Sequence, residues 1–282
     1  MADGRWFGPS LYFPSSLYPF TSYIFNMTYL QAIILAVIEG ITEFLPVSST
    51  GHMILASAVM KVQDPEFAKT FEIVIQLGAI LSVALLYMKR FFVSLDIYLK
   101  LITAFIPTGI IGILAYKTIK AYLFNPLVVS ASLIVGGIIM ILLDKWTAEK
   151  KSDVEKVENI SYSGAVKIGL FQCLSMIPGV SRAAATIFGG IYSGFDRKLA
   201  TEFSFLLAIP TMLAASGKDL WESKDLINVE NIRLLILGGA VAFACALVAV
   251  KGFIIFVQQY GFKHFGYYRI IIGILFLVLS LS

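Results

Sequence analysis

Charge is what this sequence has least of. Only 14% of its 282 residues are Asp, Glu, Lys or Arg, against about 25% in soluble domains. Hydrophobic residues make up 58%, and the mean hydropathy is +0.84. That balance excludes a water-soluble globular enzyme. Cysteine is as scarce: Cys173 and Cys245 stand alone in apolar segments, far from any CxxC or Cys/His spacing. A disulfide framework and a thiolate metal site are therefore excluded, and both read as small buried hydrophobes. Runs of Lys or Arg are missing and the net charge of +4 is scattered, so nucleic acid is not an expected partner. The charged start and continuous apolar core of a signal peptide are absent as well. Residues 1–26 are rich in Tyr, Phe, Ser and Pro instead. Either they form an interfacial aromatic tail, or Met27 is the natural start and they are an addition; the second reading is preferred.

What is present is apolar length. Stretches long enough to span a bilayer, about 17 to 25 residues each, fall near 71–88, 92–116, 126–143, 199–216, 234–257 and 267–281. The expected fold class is an all-α polytopic membrane protein with about six transmembrane helices plus two re-entrant helical hairpins. A single membrane-embedded domain is expected over 27–282. The long hydrophilic connection at 144–162, read as a solvated loop, divides it into pseudo-repeats of about 28–143 and 163–282.

Two polar blocks interrupt the apolar pattern. The first runs Glu39-Gly40-Ile41-Thr42-Glu43-Phe44-Leu45-Pro46-Val47-Ser48-Ser49-Thr50-Gly51-His52, and the second is Pro178-Gly179-Val180-Ser181-Arg182, followed by Thr186. A charged side chain at the centre of a membrane helix costs about 2.5 to 3.5 kcal/mol on insertion scales, so such residues mark function. Pro46 and Pro178 remove a backbone donor and disfavour helix at the preceding residue. The helical pieces beside them are short, near 28–44 and 51–61, then 163–176 and 182–194. Irregular backbone at membrane depth survives only when buried in protein or lining a wet cavity. Each block therefore reads as a re-entrant hairpin. At an offset of 133 the halves pair Glu39 with Gln172, Val47 with Val180 and Ser48 with Ser181; at 130, Glu72 pairs with Glu202. Three spans separate the hairpins, so they enter from opposite faces and meet near the midplane, as in inverted repeats around a central site. A weak Lys/Arg excess around Lys89, Arg90 and 144–162 puts that face in the cytoplasm and opens the first hairpin to the exterior.

Glu39 and Glu43 lie four apart, on one helical face. Two buried like charges need a divalent cation, a shared proton or a nearby Arg, and hard oxygen ligands suit Mg²⁺ or Ca²⁺; an exposed polar stripe at a wet hairpin mouth is the plainer alternative. Ser48, Ser49 and Thr50 are good N-caps, but three hydroxyls exceed what one cap needs, and a helix N-terminus attracts anions. Gly51 admits a close backbone approach. His52 suits acid–base or nucleophilic work, whereas His264 reads as an exposed loop residue. Ser181 and Arg182 supply the second half of a phosphate clamp, with Thr186 on the same face. Snorkelling to the interface is the alternative for Arg182. Glu72 and Glu202 are assigned a structural role, holding the hairpins.

These residues resemble a known family, the bacitracin-resistance type undecaprenyl-diphosphate phosphatases. The first block looks like that family's first signature almost residue for residue. Lys69-Thr70-Phe71-Glu72-Ile73-Val74-Ile75-Gln76-Leu77-Gly78, Phe171-Gln172-Cys173-Leu174 and Glu202-Phe203-Ser204-Phe205-Leu206-Leu207-Ala208 are similar too. The resemblance runs from about Thr28 onwards. It implies a plasma-membrane enzyme that hydrolyses undecaprenyl diphosphate to undecaprenyl phosphate and inorganic phosphate, recycling the lipid carrier of cell-wall synthesis and giving bacitracin resistance. A divalent cation and a site facing the exterior are implied as well. Carried onto this chain, the catalytic residues are Glu39, Glu43, Ser49, His52 and Arg182. The substrate-binding ones are Ser48, Thr50, Ser181 and Thr186, and the metal ligands are Glu39 and Glu43. Ser49 is expected as nucleophile or phosphate orienter with His52 moving the proton; a histidine nucleophile or metal-activated water stays open. One departure stands out. The family continues Ser-Arg with Ser-Gly-Ala-Thr, whereas Ala183-Ala184-Ala185-Thr186 follows Arg182 here, which implies a lost phosphate hydrogen bond, about 1.5 to 3 kcal/mol. The expected partners are the polyprenyl diphosphate and membrane lipids, with a homodimer left open. Two rivals remain: a transporter that flips a lipid phosphate using the same headgroup site, and a non-catalytic scaffold.

Overall fold

The computed structural model describes residues 27–62, 65–92, 95–123, 125–147, 154, 156–222 and 231–281; the expectation for residues 1–26 falls outside them. Helices and no strand occur among the described residues. The first half holds α1 (Tyr29–Thr42), α2 (Ser49–Val59), α3 (Pro65–Leu86), the one-turn α4 (Met88–Phe91), α5 (Leu95–Leu123) and α6 (Pro126–Thr147). The second half holds α7 (Tyr162–Gln172), α8 (Arg182–Tyr192), α9 (Arg197–Glu222), α10 (Ile232–Tyr260) and α11 (Lys263–Leu281).

Among the described residues, six helices are long and apolar enough to cross a membrane. Their spans are Phe67–Leu86, Leu95–Ala115, Pro126–Lys145, Arg197–Gly217, Ile232–Tyr260 and Lys263–Ser280, each overlapping a predicted stretch. The chain is an all-α multi-pass membrane protein. Its polarity is arranged accordingly: outward faces carry bare aliphatics such as Ile113, 84% exposed, while Glu39, Glu43, Ser48, Gln172 and Arg269 are buried. Lipid contact requires the first, since hydrocarbon offers no partner to a polar group. Cys173 and Cys245 are unpaired, as expected.

The short helices start where local chemistry says they should. Thr28 and Gln31 form a reciprocal capping box at α1, and Ser161 Oγ accepts from Gly164 N at α7, each satisfying an orphan donor. Helix pairs then pack closely through small residues, as is usual between membrane helices. At the crossing of α3 and α10, a Cβ on Gly78 would lie 2.3 Å from the Gly239 carbonyl oxygen. Between α10 and α11, Gly261 takes φ 71°, and Asp144 Oδ1 accepts from Phe262 N at 3.0 Å and from Arg197 Nη2 at 2.6 Å.

The 144–162 connection does more than the solvated loop expected of it. Asp144 anchors the α10–α11 corner as described, and Glu158 accepts from Arg90 Nη1 at 2.9 Å. Arg90 also meets Glu202 of α9 at 3.5 Å, so Glu202 ties α9 to α4 rather than to a hairpin. Lys100 pairs with Asp96, and Tyr162 donates to Asp96 at 2.5 Å. This network roots α7 at the end of the molecule where α3 finishes and α5 begins. The α1–α2 pair is rooted at the other end of α3, where Gln31 Nε2 donates to the Met60 carbonyl.

Candidate active site

The site is built from the two chain breaks. Helix α1 ends at Thr42; Pro46 bars continuation, and the chain turns through Ser48. Ser48 has φ 71°, and its Oγ caps α2 by accepting from Gly51 N at 3.5 Å. The second break follows Gln172 through a short 3₁₀ turn, Pro178 and Gly179, and Ser181 again has φ 71°. Its Oγ caps α8, accepting from Ala184 N at 3.3 Å. A left-handed non-glycine residue costs about 1 to 3 kcal/mol, and the strain persists only where the surroundings over-determine it. The pair related by the offset of 133 thus shares a strained positive φ and one capping role.

Both caps present a helix N-terminus to a common cavity of about 130 Å³. Its walls come from Glu43, Ser48, Ser49 and Thr50 on one side and from Ser181 and Arg182 on the other, closed by Gln76 of α3 and Met212 of α9. Arg182 Nη2 donates to Glu43 Oε1 at 3.2 Å and Nη1 to the Ser204 carbonyl at 3.1 Å. Its Nε is buried with no partner, and its Cζ lies 5.6 Å from the centroid of the buried Phe44 ring, a cation–π placement. Ser49 Oγ donates to Glu43 Oε2 at 2.5 Å. Glu43 therefore holds the cation with one oxygen and the hydroxyl of Ser49 with the other. Two helix N-termini, a set of hydroxyls and a guanidinium with an unspent donor together favour a multiply charged anion.

Six of the nine residues singled out from sequence line this cavity: Glu43, Ser48, Ser49, Thr50, Ser181 and Arg182. Three do not. Glu39 is buried one helical turn before Glu43, whose backbone N–H donates to the Glu39 carbonyl at 2.9 Å. Thr186 Oγ1 donates to the Arg182 carbonyl at 2.9 Å and meets Ser204 Oγ at 2.6 Å, so it fixes α8 against α9. His52 faces α11: its Nδ1 lies 2.8 Å from the Ser48 carbonyl and its Nε2 2.6 Å from the Tyr268 hydroxyl. A carbonyl only accepts, so Nδ1 carries a proton and donates to Ser48, while Nε2 shares a hydrogen with the Tyr268 hydroxyl. The rings stack with 4° between planes. Ala183 and Ala184 are buried and do not line the cavity, so the hydroxyl missing there removes nothing from its walls. His264 is exposed, as expected, but within α11 rather than a loop.

Sequence reasoning gave no role to Gln76, Tyr268 or Arg269. Gln76 sits inside a stretch that carried the resemblance, and its Oε1 accepts from Ser216 Oγ at 2.8 Å. Arg269 is an intramembrane arginine, a signal in itself.

The acidic cluster fits a hard divalent cation in one limited sense. No set of three His, Cys, Asp or Glu among the described residues is placed to hold a metal. Mg²⁺, however, is commonly held by one or two carboxylates with substrate phosphates completing the shell. The buried Glu39 and Glu43 carboxyls, one helical turn apart, and the Ser49 hydroxyl bonded to Glu43 are oxygen donors of that kind.

The chain is similar to known proteins over most of its length. The family model described as bacitracin resistance protein BacA matches residues 32–275. Similar proteins named undecaprenyl-diphosphatase occur in Wolinella succinogenes, 51% identical over 251 residues, covering 89% of this chain and 98% of that one. Another, from Flavobacterium psychrophilum, is 54% identical over 256 residues, covering 90% and 96%. A third, from Bdellovibrio bacteriovorus, is 50% identical over 253 residues, covering 90% and 96%. Because the match covers most of the chain, both chain breaks included, the chain belongs to the bacitracin resistance protein BacA family.

Proposed function

We propose that the chain hydrolyses undecaprenyl diphosphate to undecaprenyl phosphate and inorganic phosphate, recycling the lipid carrier for cell-wall synthesis. The observation that carries this reading is the convergence of Arg182, the Ser48–Thr50 hydroxyls and two helix N-termini on one cavity. It occurs in a chain about half identical to proteins named undecaprenyl-diphosphatase. The diphosphate binds Arg182 and the N-termini of α2 and α8, which neutralise charge as phosphoryl transfer requires. Ser49 Oγ attacks the terminal phosphorus and its proton passes to Glu43 Oε2, already 2.5 Å away. The bond to the bridging oxygen breaks and undecaprenyl phosphate leaves. Water then hydrolyses the phosphoserine, releasing phosphate and restoring Ser49. A divalent cation held by Glu39 and Glu43 would supply further neutralisation of the diphosphate. His52 enters differently from the proton-carrying role expected of it: by donating to the Ser48 carbonyl it steadies the turn that presents Ser49.

The α1–α2 and α7–α8 pairs act as re-entrant hairpins of an inverted repeat. Supporting this, they root at opposite ends of α3, Ser48 and Ser181 share φ 71°, and α1 packs on α10 as α7 packs on α5. The protein resides in the plasma membrane with the first hairpin open to the exterior, and the polyprenyl tail lies among the apolar helices. Phosphate release by purified protein from undecaprenyl diphosphate, with and without chelator, tests the reading; wild type that releases none ends it. A flippase would move lipid without releasing phosphate, and the names of the relatives lend that alternative no support.

A further inference from the structure

Arg269 is fully buried, with 0% exposure, yet it lies outside the cavity lining. All five of its N–H groups go to main-chain carbonyls and none to a carboxylate. Nη1 donates to Pro46 O at 3.0 Å and Val180 O at 3.1 Å, and Nη2 to Gly179 O at 2.9 Å. Nη2 also donates to Ser132 O at 3.0 Å, and Nε to Leu133 O at 3.4 Å, both on α6. One guanidinium thus joins the break after α1, the break before α8 and the middle of α6. Those three carbonyls in the breaks come just before Ser48 and Ser181, the residues that cap α2 and α8. A buried charge without a counter-charge is expensive, and five carbonyl dipoles meet it only if all three segments stay in place. Helix α6 makes the room: a Cβ on Gly136 would lie 2.3 Å from Arg269 Nη2.

We propose that Arg269 is a positioning residue for the diphosphate cavity. By drawing the carbonyls of Pro46, Gly179 and Val180 to itself it fixes the distance between the two breaks and keeps the amides and hydroxyls of α2 and α8 turned to the anion. Its positive charge, matched only by dipoles, adds to the field that holds the diphosphate. Lysine cannot replace it, having three donors at one point rather than five in a planar fork.

The proposal rests on the diphosphatase reading, so its test uses a probe that does not depend on turnover. Binding of inorganic pyrophosphate to purified wild type and Arg269→Lys is measured by calorimetry, beside phosphate release from undecaprenyl diphosphate and thermal unfolding in the same detergent. Expected in Arg269→Lys are pyrophosphate affinity and kcat each lowered about tenfold to a hundredfold, as for a misplaced site, with Tm within a few degrees of wild type. In Arg269→Ala protein purified in folded form, added guanidinium restores part of both. Unchanged pyrophosphate affinity in Arg269→Lys, or affinity that falls only in step with Tm, overturns the proposal. So does wild type that fails to bind pyrophosphate. Wild type that binds pyrophosphate but releases no phosphate from the lipid ends the diphosphatase reading alone, and the comparison of affinities still decides the role of Arg269.

Discussion

Glu43 and Arg182 are 139 positions apart in sequence and joined by a buried ion pair of 3.2 Å. That contact closes the two chain breaks over one cavity and lets a carboxylate hold a cation on one oxygen and the Ser49 hydroxyl on the other.

Removing one partner of a buried pair leaves the other uncompensated, at a cost of about 3 to 5 kcal/mol. Arg182→Ala is expected to lower Tm clearly and phosphate release by at least about 10³-fold, because the same group meets the developing charge. The double variant Arg182→Ala/Glu43→Gln recovers Tm in thermal unfolding while activity stays lost. A double variant whose Tm stays as low as that of Arg182→Ala would show that the pair does not carry the stability.

Ser49→Ala removes one hydroxyl from a part-buried hydrogen bond to the Glu43 carboxylate, about 1.5 to 3 kcal/mol. Its Tm is therefore expected to fall by several degrees, with the fold retained, while single-turnover phosphate release falls below detection. A phosphorylated intermediate trapped by rapid quench in wild type, absent from Ser49→Ala, identifies the nucleophile; transfer of label to another residue rejects it.

Tyr268→Phe and His52→Ala separate orientation from chemistry. Tyr268→Phe loses one bond to Nε2, about 1 kcal/mol, and kcat is expected to fall about fivefold. His52→Ala also frees the Ser48 carbonyl and is expected to fall at least about tenfold, with Ser49→Ala still the more severe variant. A His52 variant as inactive as Ser49→Ala would restore His52 to the proton-carrying role.

Chelation tests the acidic cluster. With EDTA, phosphate release is expected to drop at least about tenfold and to return with Mg²⁺ or Ca²⁺. Glu39→Gln is expected to raise the cation concentration needed for half-maximal rate. A rate indifferent to EDTA removes the cation from the mechanism.

Two glycine substitutions check the helix packing. Gly78→Ala drives a methyl onto the Gly239 carbonyl and is expected to destabilise by about 1 to 3 kcal/mol. Gly252 has nothing within 4 Å of its would-be Cβ, so Gly252→Ala is expected to be neutral or slightly stabilising through helix propensity, up to about 1 kcal/mol. Thermal unfolding of both variants reads the contrast.

Much of this molecule is written in local patterns. The six spans follow from runs of apolar residues, because a bilayer demands about 20 of them in succession whatever lies beside them. The breaks follow from Pro46 and Pro178, which forbid helix by their own covalent geometry. Ser48, Ser49, Ser181 and Arg182 stood out because polar groups in an apolar chain carry a cost that calls for a use.

What no local pattern contains is which way a side chain turns once helices pack. His52 stands beside the hydroxyl cluster in sequence, yet one helical turn and the approach of α11 aim it at Tyr268. Thr186 shares a nominal face with Arg182, yet α9 claims its hydroxyl through Ser204. Arg269 looked like any late arginine until α6 and both breaks surrounded it with carbonyls. Sequence by itself determined the spans, the breaks and the stock of chemical groups, since those depend on each residue and its neighbours. Tertiary structure alone decided which groups meet, because contacts between different helices are settled by how whole helices pack.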